Sequence, residues 1–374
     1  MSDFDYLAGI RSTYVQTSRL RTHVLMSGDP SGIPVFFIHG NFSASSYFEA
    51  LMLAMPKEYF CLAVDLRGYG WTEDKVIDAT RGARDWADDL SALFETLGIP
   101  CAHLLGWSAG AAAVSQFLLD YPARVNSLTL VAPVSPFGFG ATGDTIGTAC
   151  YDDYAGSGGG IVADEFIQRI HSRDTGQDSP FSPRNVIQTS FFHTPQPLQR
   201  EALLLASSLQ QKLGSQRYPG DFLRSANWPF VAPGNWGPLN AISPKYYNVS
   251  ALVKLPRKPP VLWIRGEQDT IISDQSQSDM ALLGSLGLIP DWPGGDVFPP
   301  QPMVGQTRYL LNDYKRNGGW FKEVVMPDAG HSPFIENQPV FREELLDFLR
   351  QPFSQPNSRA VWTSGITAST CDDS

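Results

Sequence analysis

The chain has 374 residues, of which 43% are hydrophobic and 18% are charged. This length and composition fit one large α/β domain with insertions, or two domains, and exclude wholesale disorder. The formal net charge of −10 argues against nucleic acid or an anionic membrane as a partner. We therefore expect a sizeable core and an acidic surface that keeps the protein dispersed, with a small molecule as the partner.

Targeting and redox signals favour the cytoplasm. The first six residues are acidic and lack an apolar stretch, so no secretory signal is visible. No apolar run approaches the length that spans a bilayer. The cysteines lack the spacing of a metal site; they are Cys61, Cys101, Cys150 and Cys371. We expect a reduced, cytoplasmic protein without a cofactor or a metal. The oligomeric state stays open, a homo-oligomer included.

Apolar runs alternate with helical patterns over the first third of the chain. A hairpin is predicted over residues 13–26, and helices are predicted over 47–55 and 84–97. Uninterrupted apolar runs, typical of strands buried on both faces, predict strands at 33–38 and 59–64. A further strand is predicted at 125–131. This alternation predicts an α/β fold with a mostly parallel, doubly wound central sheet flanked by helices.

The alternation stops at Pro133 and resumes at residue 260. We predict that residues 135–257 form a largely helical or irregular cap segment over the carboxyl edge of the sheet. Its best helical pattern covers 199–213, with Gly214 as the stop.

The remaining chain continues the α/β pattern. After the strand that starts at residue 260, a helix is predicted over 276–286 and a proline-rich insertion over about 286–303. A strand over 321–326 and a helix over 338–349 close the core. The predicted units are a core of residues 1–134 and 258–350, the cap segment of 135–257, and a polar tail of 351–374.

The sequence Gly106-Trp107-Ser108-Ala109-Gly110 follows an apolar run and precedes a run of small residues. This pattern predicts a strand, a very tight turn and a helix, with Ser108 at the apex of the turn. The first amides of the helix are unpaired and carry the positive end of its dipole. A hydroxyl nucleophile and an anion site are thus expected in one turn.

Four further motifs follow predicted strands, and together with the Ser108 turn they carry a family resemblance. They are His39-Gly40, Asp65-x-Arg67-Gly68-x-Gly70, Gly266-x-x-Asp269 and Gly330-His331. The chain resembles α/β-hydrolase fold enzymes, in which the nucleophile, acid and histidine follow in that order. The resemblance covers about residues 12–132 and 258–350 and leaves out the cap segment.

The resemblance implies a triad of Ser108, His331 and Asp269. A neutral serine hydroxyl needs a base within hydrogen-bond reach, and a histidine such as His331 is the residue type that most often serves as that base. A carboxylate would hold the imidazole tautomer and stabilise the imidazolium. Asp274 and Asp328 are the alternatives for that carboxylate, and Asp269 is favoured because it directly follows a strand.

The resemblance also implies an oxyanion hole made of backbone amides. One amide is expected from Ala109, and the other from Asn41, with Phe42 as the second choice. His39 is expected to brace this loop. Asp65 and Arg67 are expected to form a structural turn and an ion pair.

Aromatic residues next to the nucleophile and in the cap segment predict a broad apolar or aromatic acyl pocket. The candidates for its wall are Trp107, Phe137, Phe139, Phe191, Trp228 and Trp236. Each of them can equally belong to the core of the cap segment.

A serine at the turn indicates acyl-enzyme chemistry. The leading hypothesis is hydrolysis of a carboxylic ester or lactone of an apolar or aromatic small molecule. An amidase or peptidase with the same triad is the first alternative. A carbon–carbon bond hydrolase is the second, although such enzymes usually carry more glycine than Asn41-Phe42-Ser43-Ala44 after the His-Gly pair. A non-catalytic receptor on the same fold is a third.

Overall fold

The computed structural model describes residues 6–194 and 198–352. The predicted tail therefore lies outside the described residues from position 353 onward, and so does Cys371. The first part of the chain builds β1 (Arg11–Gln16), β2 (Arg21–Ser27), β3 (Ile33–Ile38), α1 (Glu49–Ala54), β4 (Tyr59–Val64), α2 (Arg84–Leu97), β5 (Ala102–Trp107), α3 (Ala109–Asp120) and β6 (Val125–Val131).

In the segment between β6 and the next long strand, the elements that the structure describes are short. They are α4 (Asp164–His171), α5 (Pro183–Ser190), α6 (Glu201–Ser208), β7 (Leu213–Gly214), β8 (Tyr218–Pro219), β9 (Phe222–Arg224), β10 (Val231–Pro233) and α7 (Pro238–Ala241). The core then resumes with β11 (Val261–Gly266), α8 (Met280–Ser285), α9 (Met303–Arg316), β12 (Phe321–Met326), α10 (Pro333–Glu336) and α11 (Gln338–Leu349).

The central sheet of the described chain has eight strands in the order β1-β2-β4-β3-β5-β6-β11-β12. Every pair from β4 to β12 is parallel, whereas β2 runs antiparallel to both β1 and β4. The mostly parallel sheet that the sequence predicts is confirmed. Its parallel strands all end at one edge, which brings the loops after β3, β5, β11 and β12 to the same side.

Neighbouring residues of a strand point to opposite faces of the sheet, and helices cover both faces. In β3, Phe36 joins the core layer formed with α2, α3 and α9, and Phe37 joins the layer formed with α1, α10 and α11. In β5, Leu104 joins the first of these layers and Leu105 joins the second. These strands are buried on both faces, which explains their mostly apolar sequences.

The helix predicted over 199–213 is too long. The helix α6 ends at Ser208, and the amide of Lys212 donates a hydrogen bond to the carbonyl of Gly68, 3.0 Å away. This contact draws the chain into an extended conformation, so Gly214 pairs within the β7–β8 ladder instead of ending a helix. The two short ladders, β7–β8 and β9–β10, are strands that the prediction of a helical or irregular cap segment missed.

The helix predicted over 276–286 begins later than expected. The side chain of Asp279 accepts a hydrogen bond from the amide of Ala281 and caps α8, which therefore starts at Met280. The other carboxylate oxygen of Asp279 accepts the amide of Gln301 at 2.6 Å. This second bond fixes the end of the proline-rich insertion against α8.

Candidate active site

Ser108 occupies a strained turn between β5 and α3. Its backbone has φ 56° and ψ −120°, a conformation that side-chain-bearing residues rarely adopt. A Cβ atom on Gly106 would lie 2.5 Å from Val114, and one on Gly110 would lie 2.3 Å from the carbonyl oxygen of Ile38. Glycine is required at both positions because strand and helix approach so closely. The turn holds the hydroxyl above the end of the strand.

His331 and Asp269 lie in the loops after β12 and β11 and form a buried pair. The distance from Nδ1 of His331 to Oδ2 of Asp269 is 2.8 Å. The other carboxylate oxygen of Asp269 accepts the amides of Ile271 and Ile272, at 2.8 and 3.0 Å. The carboxylate is thus held in place while it orients the imidazole. With Nδ1–H donating to Asp269, the Nε2 atom of the neutral ring is left to accept a proton.

The two alternative carboxylates lie elsewhere. Asp274 accepts hydrogen bonds from the amides of Val304 and Gly305, at 2.8 and 3.0 Å, in the first turn of α9. Asp328 is exposed to solvent. Among the three candidates, Asp269 is the one bonded to His331.

The indole of Trp107 is hydrogen-bonded to the loop that carries His331. Its Nε1–H donates to the backbone carbonyl of His331 at 2.8 Å, and the two ring centroids are 5.5 Å apart. Trp107 is fully buried. Its predicted place in the substrate pocket is therefore wrong: the side chain points below the Ser108 turn and packs against Phe191 and Phe334.

Glu336 is a site residue that the sequence analysis missed. Its two carboxylate oxygens accept the amide of Gly330 at 2.7 Å and the amide of His193 at 2.6 Å. It therefore ties the loop that carries His331 to the cap segment. Burial raises the pKa of Glu336. A glutamate in an ordinary helical sequence gives no signal of such a contact, which depends on how distant segments pack.

The loop after β3 lies directly against the nucleophile. A Cβ atom on Gly40 would stand 2.7 Å from Cβ of Ser108. Within this loop, Nδ1 of His39 donates to the carbonyl of Gly40 at 2.8 Å, and Nε2 accepts the amide of Leu66 at 3.0 Å. Burial lowers the pKa of His39, so the neutral ring that this bonding requires is favoured. His39 braces the loop, as predicted.

A cavity of about 320 Å³ connects these groups. Its wall includes Ser108, Ala109, Asn41, Phe42 and His331. The side-chain oxygen of Asn41 accepts the hydroxyl of Tyr69 at 3.0 Å, and Phe42 has a positive φ of 49°. Asn41 and Phe42, the two candidates for the second amide, thus line the same cavity as Ser108 and Ala109.

Only two of the six predicted aromatic residues line the cavity, Phe139 and Phe191. Besides Trp107, three others are wrongly predicted. Phe137 is buried against the turn at Gly147. Trp228 packs on Phe298, and its indole donates to the carbonyl of Pro290. Trp236 forms a backbone bridge with Asp78.

Most of the cavity wall is aliphatic or aromatic and comes from segments that the sequence analysis left without a function. These residues are Val134, Ile161, Val162, Ala163, Phe166, Phe181, Val186, Tyr218, Leu239, Ile242, Ile271, Ile272 and Leu283. Most of them belong to the cap segment; Val134 directly precedes it, Ile271 and Ile272 follow Asp269, and Leu283 lies in α8. No sequence motif marks them, because the same residue types also fill the core.

Asp65 and Arg67 both have structural partners, but they do not form the predicted pair. The guanidinium of Arg67 donates to both oxygens of Asp89, at 2.7 and 2.8 Å. The carboxylate of Asp65 instead contacts Nδ1 of His23 at 2.7 Å. The predicted ion pair does not form because the two side chains extend from the turn toward different neighbours.

Comparisons with known proteins agree with this architecture. A family model described as alpha/beta hydrolase fold matches residues 33–147. The uncharacterized carboxylesterase nap of Bacillus subtilis (strain 168) is 30% identical over 128 residues, which are 34% of this chain and 42% of that protein. A 2-hydroxy-6-oxononadienedioate/2-hydroxy-6-oxononatrienedioate hydrolase of Comamonas testosteroni is 29% identical over 136 residues, 35% of this chain and 44% of that protein.

A solved structure extends the likeness over the whole fold. The esterase EaEST from Exiguobacterium antarcticum superposes with a TM-score of 0.57 at 18% identity, covering 91% of this chain and 100% of that one. The chain therefore has the α/β-hydrolase fold, as its motifs predict. The matched region spans less than half the length of the two curated relatives, at 42% and 44%. Within residues 6–194 and 198–352, no helix has the length and apolar character needed to cross a bilayer.

Proposed function

We propose that this protein hydrolyses carboxylic esters, lactones included, of neutral apolar or aromatic small molecules. The observation that carries the proposal is the His331–Asp269 hydrogen bond beside the cavity that Ser108 lines. The carboxylesterase among its relatives supports the same reaction class.

The proposed reaction proceeds through an acyl-enzyme. Oγ of Ser108 attacks the ester carbonyl while Nε2 of His331 takes its proton, and Asp269 stabilises the imidazolium. The oxyanion accepts hydrogen bonds from the amide of Ala109 and from the amide of Asn41 or Phe42. The imidazolium then gives its proton to the leaving alcohol. Water, activated by His331, attacks the acyl group and releases the acid.

The cavity wall supports a neutral substrate. Among the described lining residues there is no lysine, arginine, aspartate or glutamate. Moving an uncharged polar group out of water without a hydrogen-bond partner costs on the order of 2–7 kcal/mol. Moving a charged group without a compensating partner costs more. A carboxylate in the acyl chain would find no cation on this wall. We therefore infer a preference for uncharged acyl groups.

The same wall argues against the carbon–carbon bond hydrolase. The name of the Comamonas testosteroni relative describes its substrate as a dioate, a molecule with two carboxylates. An enzyme for such a dianion needs cationic or strongly donating groups around it, and the described wall offers mainly apolar side chains. The amidase remains an alternative on the same triad. A matched ester and amide with one acyl group would separate the two, because the proposal expects faster cleavage of the ester.

The test of the proposed function is the Ser108→Ala variant assayed with a neutral aryl ester such as p-nitrophenyl butyrate. We expect kcat/KM to fall by at least about 10³-fold, since the nucleophile is lost and only binding and the oxyanion hole remain. Ser278→Ala is the matched control, because Ser278 also lines the cavity but lies outside the turn between β5 and α3. Full activity in Ser108→Ala, with an unchanged circular dichroism spectrum, would refute the proposed function.

A further inference from the structure

A second hydroxyl–imidazole–carboxylate chain lies outside the cavity, on the β1 side of the sheet. The distance from Oγ of Ser12 to Nε2 of His23 is 2.9 Å, and the distance from Nδ1 of His23 to Oδ2 of Asp65 is 2.7 Å. Ser12 belongs to β1, His23 to β2, and Asp65 follows β4. The connectivity of these atoms is the one that a serine nucleophile requires.

Asp65, the carboxylate of this hydrogen-bonded array, is fixed and ionised. Oδ1 of Asp65 accepts the amide of Ser45 at 2.7 Å, and Oδ2 accepts the amide of Trp71 at 2.9 Å. Burial by itself raises the pKa of the Asp65 carboxyl, whereas its contacts with His23 and with the amide of Ser45 lower it, and the resulting pKa lies below its usual range. Asp65 is therefore an acceptor toward His23.

The imidazole is held in one orientation. His23 is 1% exposed, and aromatic rings surround it: Tyr14 lies 5.2 Å away, Trp71 5.4 Å and Tyr6 6.3 Å, centroid to centroid. In the neutral ring, Nδ1–H donates to Asp65, so Nε2 accepts the hydrogen bond from the hydroxyl of Ser12. The proton of that hydroxyl thus faces a base whose other nitrogen is anchored.

The residue that carries the hydroxyl lies at the protein surface. Ser12 is an exposed residue of β1, which forms one edge of the sheet. Two of the rings around His23, Tyr14 and Trp71, also line an open depression of about 440 Å³ on the surface. A small electrophile can therefore approach the hydroxyl next to aromatic surface, without passing through the Ser108 cavity.

We propose that Ser12 is a second nucleophilic site, which accepts an acyl or phosphonyl group from a small, neutral, activated ester or fluorophosphonate. Oγ attacks the carbonyl carbon or the phosphorus, and the phenolate or fluoride leaves. The proton of the hydroxyl passes to Nε2 of His23 and then to solvent. The inference does not depend on the proposed function, because it involves none of the residues assigned to the Ser108 site.

The test uses the full chain with Ser108→Ala, so that the first site cannot compete. This protein is treated with a fluorophosphonate at alkaline pH, and the adducts are located by tandem mass spectrometry. Trypsin cuts after Arg11 and Arg19, so one peptide carries both Ser12 and the internal control Ser18. Ser18 is likewise exposed, and it lies in the turn between β1 and β2.

We expect Ser12 to be labelled at least about 10²-fold faster than Ser18, the lower bound for a positioned general base. Ser12→Ala should remove the adduct, and His23→Gln should reduce its rate to that of Ser18. If His23→Gln does not fold, labelling of the chain in urea replaces it, and the preference for Ser12 should vanish there. Equal labelling of the two serines in the folded protein, or no adduct on Ser12, would overturn the inference.

Discussion

Asp269 shows how one side chain can be both fixed and available. Two amides hold one of its oxygens, and the other faces Nδ1 of His331. Asp274, five residues further along, has a different task, because it binds the first amides of α9. The two carboxylates therefore make a matched pair for mutation.

We predict that Asp269→Asn lowers kcat for ester hydrolysis by about 10⁴-fold, because the amide favours the wrong imidazole tautomer. The free energy of unfolding should change little, since an amide oxygen can still accept from Ile271 and Ile272. Asp274→Asn should keep activity within about threefold of the wild type, as its role is in the fold. Steady-state kinetics of both variants tests this. Loss of activity in Asp274→Asn but not in Asp269→Asn would show that the carboxylate of the triad is wrongly assigned.

Residues in short motifs could be predicted from sequence, and residues of the pocket wall could not. Ser108, Asp269 and His331 were identified because each follows a strand within a glycine-marked turn, and the structure brings the last two into contact. Their catalytic roles stay predictions. Trp107 and Trp228 were misassigned because an aromatic side chain has the same sequence signature whether it lines a cavity or fills a core.

At the scale of elements, buried strands were the easiest to locate. The bounds predicted for 33–38, 59–64 and 125–131 coincide with β3, β4 and β6. For β3 and β4 the reason is their continuous apolar sequence, which burial on both faces of the sheet requires. The helix over 199–213 failed because the bond from Lys212 to Gly68, a tertiary contact, overrides local helical preference.

The contact between the cap segment and α10 leads to a prediction for Glu336. In Glu336→Gln, the side chain keeps one acceptor oxygen for two amides, so the amide of Gly330 or of His193 loses its partner. We expect kcat to fall about tenfold or more as the His331 loop loosens, with a smaller change in KM. Glu343→Gln, an exposed glutamate of α11, is the control and should behave as wild type. If both variants had the same kinetic constants, Glu336 would have no role in positioning the His331 loop.

At the scale of the whole molecule, buried neutral histidines make stability depend on pH. His103 lies in β5, and its Nδ1 is 2.7 Å from the hydroxyl of Ser127. Burial lowers the pKa of His103 to about 4. In the unfolded chain the pKa is about 6.5, so between these values the unfolded state binds more protons than the folded state. Acidification therefore favours unfolding.

We predict that His103 contributes a loss of about 2 kcal/mol in the free energy of unfolding between about pH 7 and about pH 5. The stabilising effect is present above the unfolded pKa and disappears as the pH falls toward the folded one. Urea unfolding of the wild type and of His103→Gln at both pH values measures it. The variant should lose less stability on acidification by that amount. The same loss in both proteins would contradict the prediction.

The central claim is that Ser108 carries the acyl group during ester hydrolysis, and its most direct test is to trap that intermediate. The protein is mixed with excess p-nitrophenyl butyrate and quenched in acid during turnover, and the adduct is located by peptide mass spectrometry. We predict a butyryl group on Ser108 in the wild type, because this hydroxyl forms the acyl-enzyme before water releases the acid. Turnover of the ester with no acyl group on Ser108, or with the adduct on another residue, would contradict the account.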